Sequence, residues 1–232
     1  MICPVWGCHA FASRINLAVA ANFYDTAVTL QKLYEQEYPH ILQLITGSTG
    51  RLRHQIAQGA PYHVFFAADD EPLPGCQCFT YAIGRLVILA EKPEAFERIK
   101  LNIGHDDRMI AMAKPELAPY GRAAAQVLQS FGYRLSRQRL LLANNVSQVL
   151  QFSRQSANIY SFLSLAQVQA RNIERELYAI VPASLHSPIR QNLCVSEQGS
   201  RLKAVYSFIH FIRGGQSIDL IRKSGYEVPK HD

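Results

Sequence analysis

Residues 15–56, INLAVAANFYDTAVTLQKLYEQEYPHILQLITGSTGRLRHQI, contain one structural pattern twice. In each copy a short apolar run predicts a buried strand, a polar tip follows it, and apolar residues then recur at helical spacing. The first tip is Ala21-Asn22, where Asn22 is expected to cap the helix, and the second is the GSTG turn at residues 47–50. Helix starts carry unpaired backbone N–H groups and the positive end of the helix dipole. Two such tips at one edge of a sheet predict an anion-binding site.

The same strand-to-helix junction occurs twice more along the chain. A strand predicted at residues 109–113 leads to the PYG tip at 119–121, and one predicted at 140–143 leads to the NNVS tip at 144–147. Strands that alternate with helices predict an α/β fold, in which ligands bind at the carboxyl ends of the strands. No GxGxxG, GxxxxGK[ST] or GxSxG motif is present, which argues against a nucleotide site and against a hydrolase elbow.

One predicted strand is unusually long for a single compact sheet. It covers residues 79–89, FTYAIGRLVIL, and has Gly84 in its middle. We expect this strand to pass from one lobe to another, and we expect residues 189–195 to return beside it. The chain then closes with two helices, which are predicted at residues 200–212 and 215–223.

The composition is that of an ordinary globular protein, with 48% hydrophobic and 18% charged residues in a chain of 232. The formal net charge is +6, but the lysines and arginines are scattered, which argues against nucleic-acid binding. A basic surface of this kind still attracts small anions. No apolar run approaches the roughly 20 residues that a membrane-spanning helix needs, so no direct membrane insertion is expected.

The N-terminal segment, residues 1–13, is apolar and contains an Ala10-Phe11-Ala12 box, which is typical of a signal-peptide cleavage site. The segment lacks a basic region, and its apolar part is short. We interpret residues 1–13 as the remnant of a truncated signal peptide, which predicts an exported, periplasmic protein. The alternative is a cytosolic leader.

The cysteines and histidines form no recognisable metal-binding or redox motif. After cleavage the chain would keep Cys76, Cys78 and Cys194, and we expect these thiols to be unpaired or weakly constrained. The eight histidines show no spacing such as HExxH. We therefore expect no metal that is coordinated directly by side chains, and no cofactor.

Two adjacent acidic residues, Asp69 and Asp70, follow an apolar run at residues 64–67. Paired carboxylates suggest acid-base chemistry, but without a partner motif such a pair is more often a loop or a helix cap. The rival hypothesis is a small hydrolase that uses one of these carboxylates together with His63.

Several of these stretches resemble the molybdate-binding proteins of bacterial ABC importers, which are type II periplasmic binding proteins. The resemblance covers nearly all of residues 15–229. It is carried by six stretches: AVAANF (18–23), GSTGRLRHQIAQGAPYHVFFAADD (47–70), FTYAIGRLVILA (79–90), LAPYGRAAAQVL (117–128), NNVSQVL (144–150) and GYEVP (225–229).

The resemblance implies an α/β protein of two lobes, each a mostly parallel sheet flanked by helices, with the ligand in the cleft between them. Residues 14–80 and 186–232 would form lobe I, and residues 81–185 would form lobe II. It further implies a monomer without catalytic activity, which delivers its ligand to the membrane permease of an ABC importer.

Carried over by position, the resemblance also implies a set of ligand contacts. These fall at Ala21, Asn22, Ser48, Thr49, Tyr120 and Val146. Val146 would act through its backbone N–H, and Asn22 through its side-chain amide. One branch of the family has a further tyrosine contact, but its equivalent here lies close to Ser164. The segment between Asp70 and Phe79 is shorter than in the family, which usually carries a helix there.

The implied ligand is molybdate, and tungstate with it, because the two dianions are nearly equal in size and charge. Burial of a dianion requires several hydrogen-bond donors to replace the lost water. The hydroxyl groups and helix-start N–H groups of the six positions are neutral donors, so no lysine or arginine is needed. Such a shell discriminates against the smaller sulfate and against protonated phosphate. The alternative is a protein that binds sulfate or another tetrahedral oxyanion.

Overall fold

The structure is a computed structural model, and it describes residues 12–103, 105–133, 139–156 and 158–229. Most of the predicted signal-peptide remnant, residues 1–11, lies outside the described residues. The described part of the chain contains ten strands, nine α-helices and two short 3-10 helices at Arg175–Leu177 and Ala183–Leu185.

The elements follow one another in an order that alternates strands and helices through most of the chain. They are β1 (Arg14–Ala20), α1 (Tyr24–Glu37), β2 (Ile41–Gly47), α2 (Thr49–Ala57), β3 (Val64–Ala67), β4 (Gln77–Gly84), β5 (Leu86–Leu89), α3 (Phe96–Asn102), β6 (Met109–Ala113), α4 (Pro119–Ser130), β7 (Leu140–Ala143), α5 (Val146–Gln155), β8 (Ile159–Ser164), α6 (Leu165–Ala170), β9 (Tyr178–Ile180), β10 (Ile189–Val195), α7 (Glu197–Ser200), α8 (Lys203–Arg213) and α9 (Gly215–Lys223). Helix α3 has no counterpart in the sequence-based expectations.

The strands form two five-stranded sheets, one in each lobe. Sheet I has the order β2-β1-β3-β10-β4, and sheet II has the order β7-β6-β8-β5-β9. In each sheet three neighbouring strands pair in parallel, and the two remaining pairings are antiparallel. The prediction of mostly parallel sheets therefore holds for strand direction, since four of five strands run the same way. The one reversed strand in each sheet contributes its two antiparallel pairs.

The register of the parallel strands brings the predicted junctions together. In sheet I, Ala20 pairs with Gly47, so β1 and β2 end side by side. In sheet II, Ala113 pairs with Ala143, so β6 and β7 also end together. Because helices start directly beyond these ends, each lobe presents two helix starts at one edge of its sheet.

The long predicted strand is divided between the two sheets, as expected for a crossover. Strand β4 belongs to sheet I as far as Gly84, and β5 enters sheet II at Leu86. Strand β10 returns beside β4, and its Ile189 pairs with Gly84. The proposed lobe boundary at residues 80 and 81 thus falls within β4, and the change of sheet occurs at Arg85. A third segment joins the hinge, because Ile83 and Glu227 exchange both backbone hydrogen bonds.

Each lobe has its own apolar core. The core of lobe I lies between sheet I and helices α1, α8 and α9, and it is rich in aromatic rings such as Phe23, Tyr34, Phe66 and Phe208. The core of lobe II surrounds sheet II and reaches across the cleft to Ala21. This continuity shows that the described residues adopt a closed arrangement.

The expectation of unpaired thiols was wrong for two of the three cysteines. Cys78 on β4 and Cys194 on β10 lie directly opposite each other and form a disulfide bond. Cys76 is a free, half-buried thiol that packs with Leu73 on the second face of sheet I. The short segment after β3 covers this face with Leu73, where the resemblance predicted a missing helix.

Candidate functional site

The first predicted contact loop is the turn between β1 and α1. Helix α1 begins at Tyr24, and its N-cap is Phe23, which provides no side-chain cap. The prediction that Asn22 caps this helix was therefore wrong. Instead, Asn22 Nδ2 donates to Gln191 Oε1 at 2.8 Å and to the Tyr226 hydroxyl at 3.1 Å. Both amide hydrogens are thus engaged inside lobe I, so the side-chain amide is not a free donor for a ligand.

The second loop provides free hydroxyl donors at the start of α2. Ser48 is the N-cap, and its Oγ accepts the N–H of Arg51 at 3.4 Å. Thr49 Oγ1 accepts the N–H of Ala68 at 3.1 Å. Each hydroxyl acts only as an acceptor in these bonds, and both residues are buried. Their hydroxyl hydrogens are therefore available to an anion.

The third loop places Tyr120 at the start of α4, with Pro119 in the first turn. The Tyr120 hydroxyl is buried and has no hydrogen-bond partner among the described residues. Burial raises the pKa of this phenol well above its ordinary value, Tyr226 adds to the effect, and Asn22 opposes it. The hydroxyl therefore stays protonated and remains a donor in a region that excludes water.

The fourth loop places Val146 at the first position of α5. The N-cap is Asn145, whose Oδ1 accepts the N–H of Gln148 at 3.1 Å. Within the described ranges, the backbone N–H of Val146 has no acceptor. Ser164, at the position of the family's further tyrosine, forms a buried capping box with Gln167 and supplies no free hydroxyl.

Four contacts bring the loops together. Ala21 N–H donates to the carbonyl oxygen of Gly47 at 2.9 Å, which joins the first loop to the second. Gly50 N–H donates across the cleft to Leu117 at 3.0 Å, which joins the second loop to the third. The remaining contacts link the first loop to lobe II: Ser147 Oγ lies 3.5 Å from the Ala21 carbonyl oxygen, and Tyr120 lies against Asn22.

All six predicted positions are at most 6% exposed. The structure therefore brings them to one enclosed place between the lobes. Sequence reasoning missed two residues of this place. The only signal for Tyr226 was the resemblance of the GYEVP segment, and Gln191 had none. Sequence reasoning also missed the reason for the glycine at position 84, where a Cβ would lie 2.1 Å from the Tyr120 hydroxyl oxygen.

The two acidic residues after β3 are engaged in ion pairs instead of facing a nucleophile or a general base. Asp69 pairs with Arg53 of lobe I and with Arg122 of lobe II, the latter at 3.4 Å. Burial raises the pKa of Asp69, and the two arginines act against this shift. Asp70 pairs with Arg190 at 3.5 Å.

The third member of the rival hydrolase hypothesis, His63, is committed elsewhere. Its Nδ1 accepts the backbone N–H of Asn16 at 3.0 Å. Among the described residues, neither Asp69 nor Asp70 forms a hydrogen bond or an ion pair with His63. The geometry therefore lends no support to the hydrolase hypothesis. The described residues also contain no group of three or more His, Cys, Asp or Glu side chains placed to hold a metal ion.

The fold and the enclosed donor set define a two-lobed solute-binding protein. Residues 15–227 match the model of the family described as bacterial extracellular solute-binding protein, and the chain belongs to that family. The predicted two-lobed α/β fold is confirmed, and the relatives described next confirm the predicted resemblance to molybdate-binding proteins. In the part of the chain that the structure describes, no helix has the length and apolar character needed to cross a membrane.

Relatives of known function cover nearly the whole chain. The molybdate-binding protein ModA of Rhodobacter capsulatus is 30% identical over 228 residues, which are 94% of this chain and 89% of the relative. The molybdate-binding protein ModA of Azotobacter vinelandii is 30% identical over 235 residues, which are 94% of this chain and 92% of the relative.

Solved structures give the same architecture. The Azotobacter vinelandii periplasmic molybdate-binding protein superposes with a TM-score of 0.84 at 30% identity. The superposition covers 93% of this chain and 100% of that chain. The sulfate-binding protein SubI of Mycobacterium tuberculosis superposes with a TM-score of 0.72 at 12% identity, covering 94% of this chain and 88% of that one. At that identity the second likeness concerns the fold alone.

Proposed function

We propose that this protein captures molybdate, and tungstate equally, outside the cytoplasm and delivers it to the permease of an ABC importer. One observation carries the proposal. Four strand-to-helix junctions from two lobes meet in one buried place, in a chain that is 30% identical to molybdate-binding proteins over 94% of its length. The ligand-contact positions in this proposal are Ala21, Asn22, Ser48, Thr49, Tyr120 and Val146.

The chemistry of the site supports a fully deprotonated oxyanion. The free groups are donors: the hydroxyls of Ser48, Thr49 and Tyr120 and the N–H of Val146. A dianion that accepts bonds at every oxygen satisfies such donors, whereas hydrogen phosphate brings a donor of its own. Sulfate is smaller and would leave donors stretched or unpaired, and each buried unpaired donor costs about 1–3 kcal/mol.

The direct test is calorimetry of the purified protein with molybdate, tungstate, sulfate and phosphate. We expect similar affinities for the first two and at least about a hundredfold weaker binding of the others, which corresponds to two unpaired donors. Equal binding of sulfate and molybdate would assign the protein to sulfate transport. Binding of none of the four anions would refute the proposal as a whole.

Closure of the lobes is part of the proposed function. Hydrogen bonds and ion pairs already cross the cleft in this structure, so the lobes would have to open about β4, β5 and β10 to admit the anion and then close to enclose it. We expect small-angle scattering to show a smaller radius of gyration on addition of molybdate. An unchanged radius, with calorimetric binding intact, would contradict closure.

We further propose that the protein acts as a monomer, without catalysis, and reaches the periplasm by export. The family and the two named relatives are binding proteins, which supports this role. Tight molybdate binding without turnover of phosphoester or ester substrates is the expected result. Turnover that is abolished by Asp69→Ala would restore the rival hydrolase hypothesis.

A further inference from the structure

The turn after β1 has a nearly complete set of backbone hydrogen bonds. Ala21 N–H donates to Gly47 at 2.9 Å, and Phe23 N–H donates back to the end of β1 at 2.9 Å. The Asn22 carbonyl oxygen accepts the Tyr226 hydroxyl at 2.8 Å. Among the described residues the backbone N–H of Asn22 has no acceptor, although this residue is only 3% exposed. A buried N–H without a partner is unusual in proteins, which indicates that a ligand accepts it.

The side chain of Asn22 is oriented by Gln191. Gln191 is fully buried, and its Nε2 donates to the Ile189 carbonyl oxygen at 3.3 Å. This bond turns Gln191 Oε1 toward Asn22, where it accepts from Nδ2 at 2.8 Å. Because Oε1 is an acceptor only, it requires the Asn22 nitrogen, and not its oxygen, on that side. The orientation of the Asn22 carboxamide is therefore determined by β10.

Tyr226 connects the same turn to the hinge. Its hydroxyl donates to the Asn22 carbonyl oxygen and accepts from Asn22 Nδ2, so one hydroxyl holds both the backbone and the side chain. The next residue, Glu227, exchanges both backbone hydrogen bonds with Ile83 of the crossover strand. The preceding residue, Gly225, packs against Leu165 of lobe II with a φ of +91° and no room for a Cβ. Tyr226 thus holds the turn against the segment about which the lobes move.

We propose that Gln191 and Tyr226 are positioning residues of the oxyanion site, which hold the turn so that Asn22 binds the anion through its backbone N–H. The inference rests on the proposed function, and it assigns the Asn22 side chain to the protein instead of to the ligand. Neither residue contacts the anion. They act through Asn22: Gln191 holds its carboxamide, and Tyr226 holds both its carboxamide and its backbone carbonyl oxygen.

The variants that test this are Gln191→Leu and Tyr226→Phe, each measured with molybdate in the full chain. Each should weaken molybdate binding by about tenfold or more, since Gln191→Leu loses one buried hydrogen bond to the turn and Tyr226→Phe loses two. In an Asn22→Ala background Gln191→Leu should cause no further loss, because its only partner in the turn is gone. Tyr226→Phe should still weaken binding in that background, because Asn22→Ala keeps the backbone carbonyl oxygen to which the Tyr226 hydroxyl donates, and the second change removes this bond. Independent structural effects would add instead.

Tyr34→Phe is the matched control. It removes another buried tyrosine hydroxyl that donates to a carbonyl oxygen, that of Ala204 at 3.3 Å, in the core of lobe I. We expect it to lower thermal stability and to leave the molybdate affinity within twofold of wild type. An equal loss of affinity in Tyr34→Phe and Tyr226→Phe would overturn the inference, because a general loss of stability would then explain both.

Amide NMR of the wild-type protein gives a second, independent test that needs no variant to fold. On molybdate addition the backbone N–H of Asn22 should shift strongly downfield, while its side-chain NH₂ signals should move little. A dominant shift of the NH₂ signals would overturn the inference. If the wild type binds molybdate but Gln191→Leu and Tyr226→Phe bind it equally well, the inference fails and the proposed function stands. If the wild type binds no oxyanion, the proposed function itself fails.

Discussion

Gly84 lies directly against Tyr120, so that a Cβ on Gly84 would be 2.1 Å from the phenolic oxygen and 3.0 Å from Gln191 Nε2. The glycine belongs to the crossover strand, and the tyrosine belongs to the third contact loop. The hinge and the ligand site are therefore in van der Waals contact at this point. A side chain at position 84 would displace the hydroxyl or hold the lobes apart.

We expect Gly84→Ala to weaken molybdate binding by more than tenfold, because the buried side chains of Tyr120 and Gln191 leave no room for the methyl group. Calorimetry measures the affinity, and scattering measures closure. Gly215→Ala is the matched control, since a Cβ there meets nothing within 4 Å. Unchanged affinity in Gly84→Ala would show that Tyr120 moves away without loss.

The Tyr120 hydroxyl should be a direct donor to the anion. Tyr120→Phe keeps the ring and removes only the hydroxyl, and we expect about tenfold weaker molybdate binding from the loss of one buried donor. Tyr133 also has a buried hydroxyl without a described partner, but it lies at the far end of α4, so Tyr133→Phe serves as the control. Wild-type affinity in Tyr120→Phe would remove this residue from the site.

Arg122 should slow the release of the ligand. It joins lobe II to lobe I through ion pairs with Asp69 at 3.4 Å and Glu71 at 3.3 Å. Its side chain is 41% exposed, so solvent weakens these pairs, and we expect Arg122→Gln to speed molybdate dissociation only about two- to fivefold. Stopped-flow measurements should show that the difference shrinks as salt is raised.

The control for that experiment is Arg190→Gln. Arg190 pairs with Asp70 at 3.5 Å, and both residues belong to the part of the chain that forms sheet I. This variant should leave the dissociation rate unchanged. An equal acceleration in both variants would indicate a general effect of surface charge on the anion.

The disulfide between Cys78 and Cys194 should stabilise lobe I. It closes a loop with a sequence separation of 116, and such a loop contributes about 5 kcal/mol in the chain-entropy treatment. We expect the Cys78→Ser, Cys194→Ser double variant to unfold at clearly lower urea concentration, and Cys76→Ser to unfold near wild type. Identical midpoints for the double variant and the wild type would show that the bridge contributes nothing.

His63 should make folding stability depend on pH. Burial lowers the pKa of His63, and its Nδ1 accepts a backbone N–H only when it is unprotonated. The contribution is complete above the unfolded pKa of about 6.5 and is lost as the pH falls toward the lower folded value. Urea midpoints should therefore decrease between pH 7.5 and 5.5. His63→Asn, which keeps an acceptor, should show a smaller decrease, and an equal one would refute this role.

Much of this protein was determined locally. The patterns that end at Ala20, Gly47, Ala113 and Ala143 are short-range, because an apolar run, a polar tip and a helical repeat all lie within about 25 residues of one another. The sequence alone therefore predicted the four helix starts, the α/β class and a crossover strand within residues 79–89. The six predicted contact positions are all buried, and strand register carries the two junctions of each lobe to one edge of its sheet.

The tertiary structure alone decided what the polar side chains do. Asn22 reads locally as a helix cap, but its partners Gln191 and Tyr226 lie 169 and 204 residues away. Cys78 likewise has no local partner and finds Cys194 across a sequence separation of 116. Hydrogen bonds and disulfides depend on distances of a few ångströms, and such distances between these remote residues exist only after sheet I has formed.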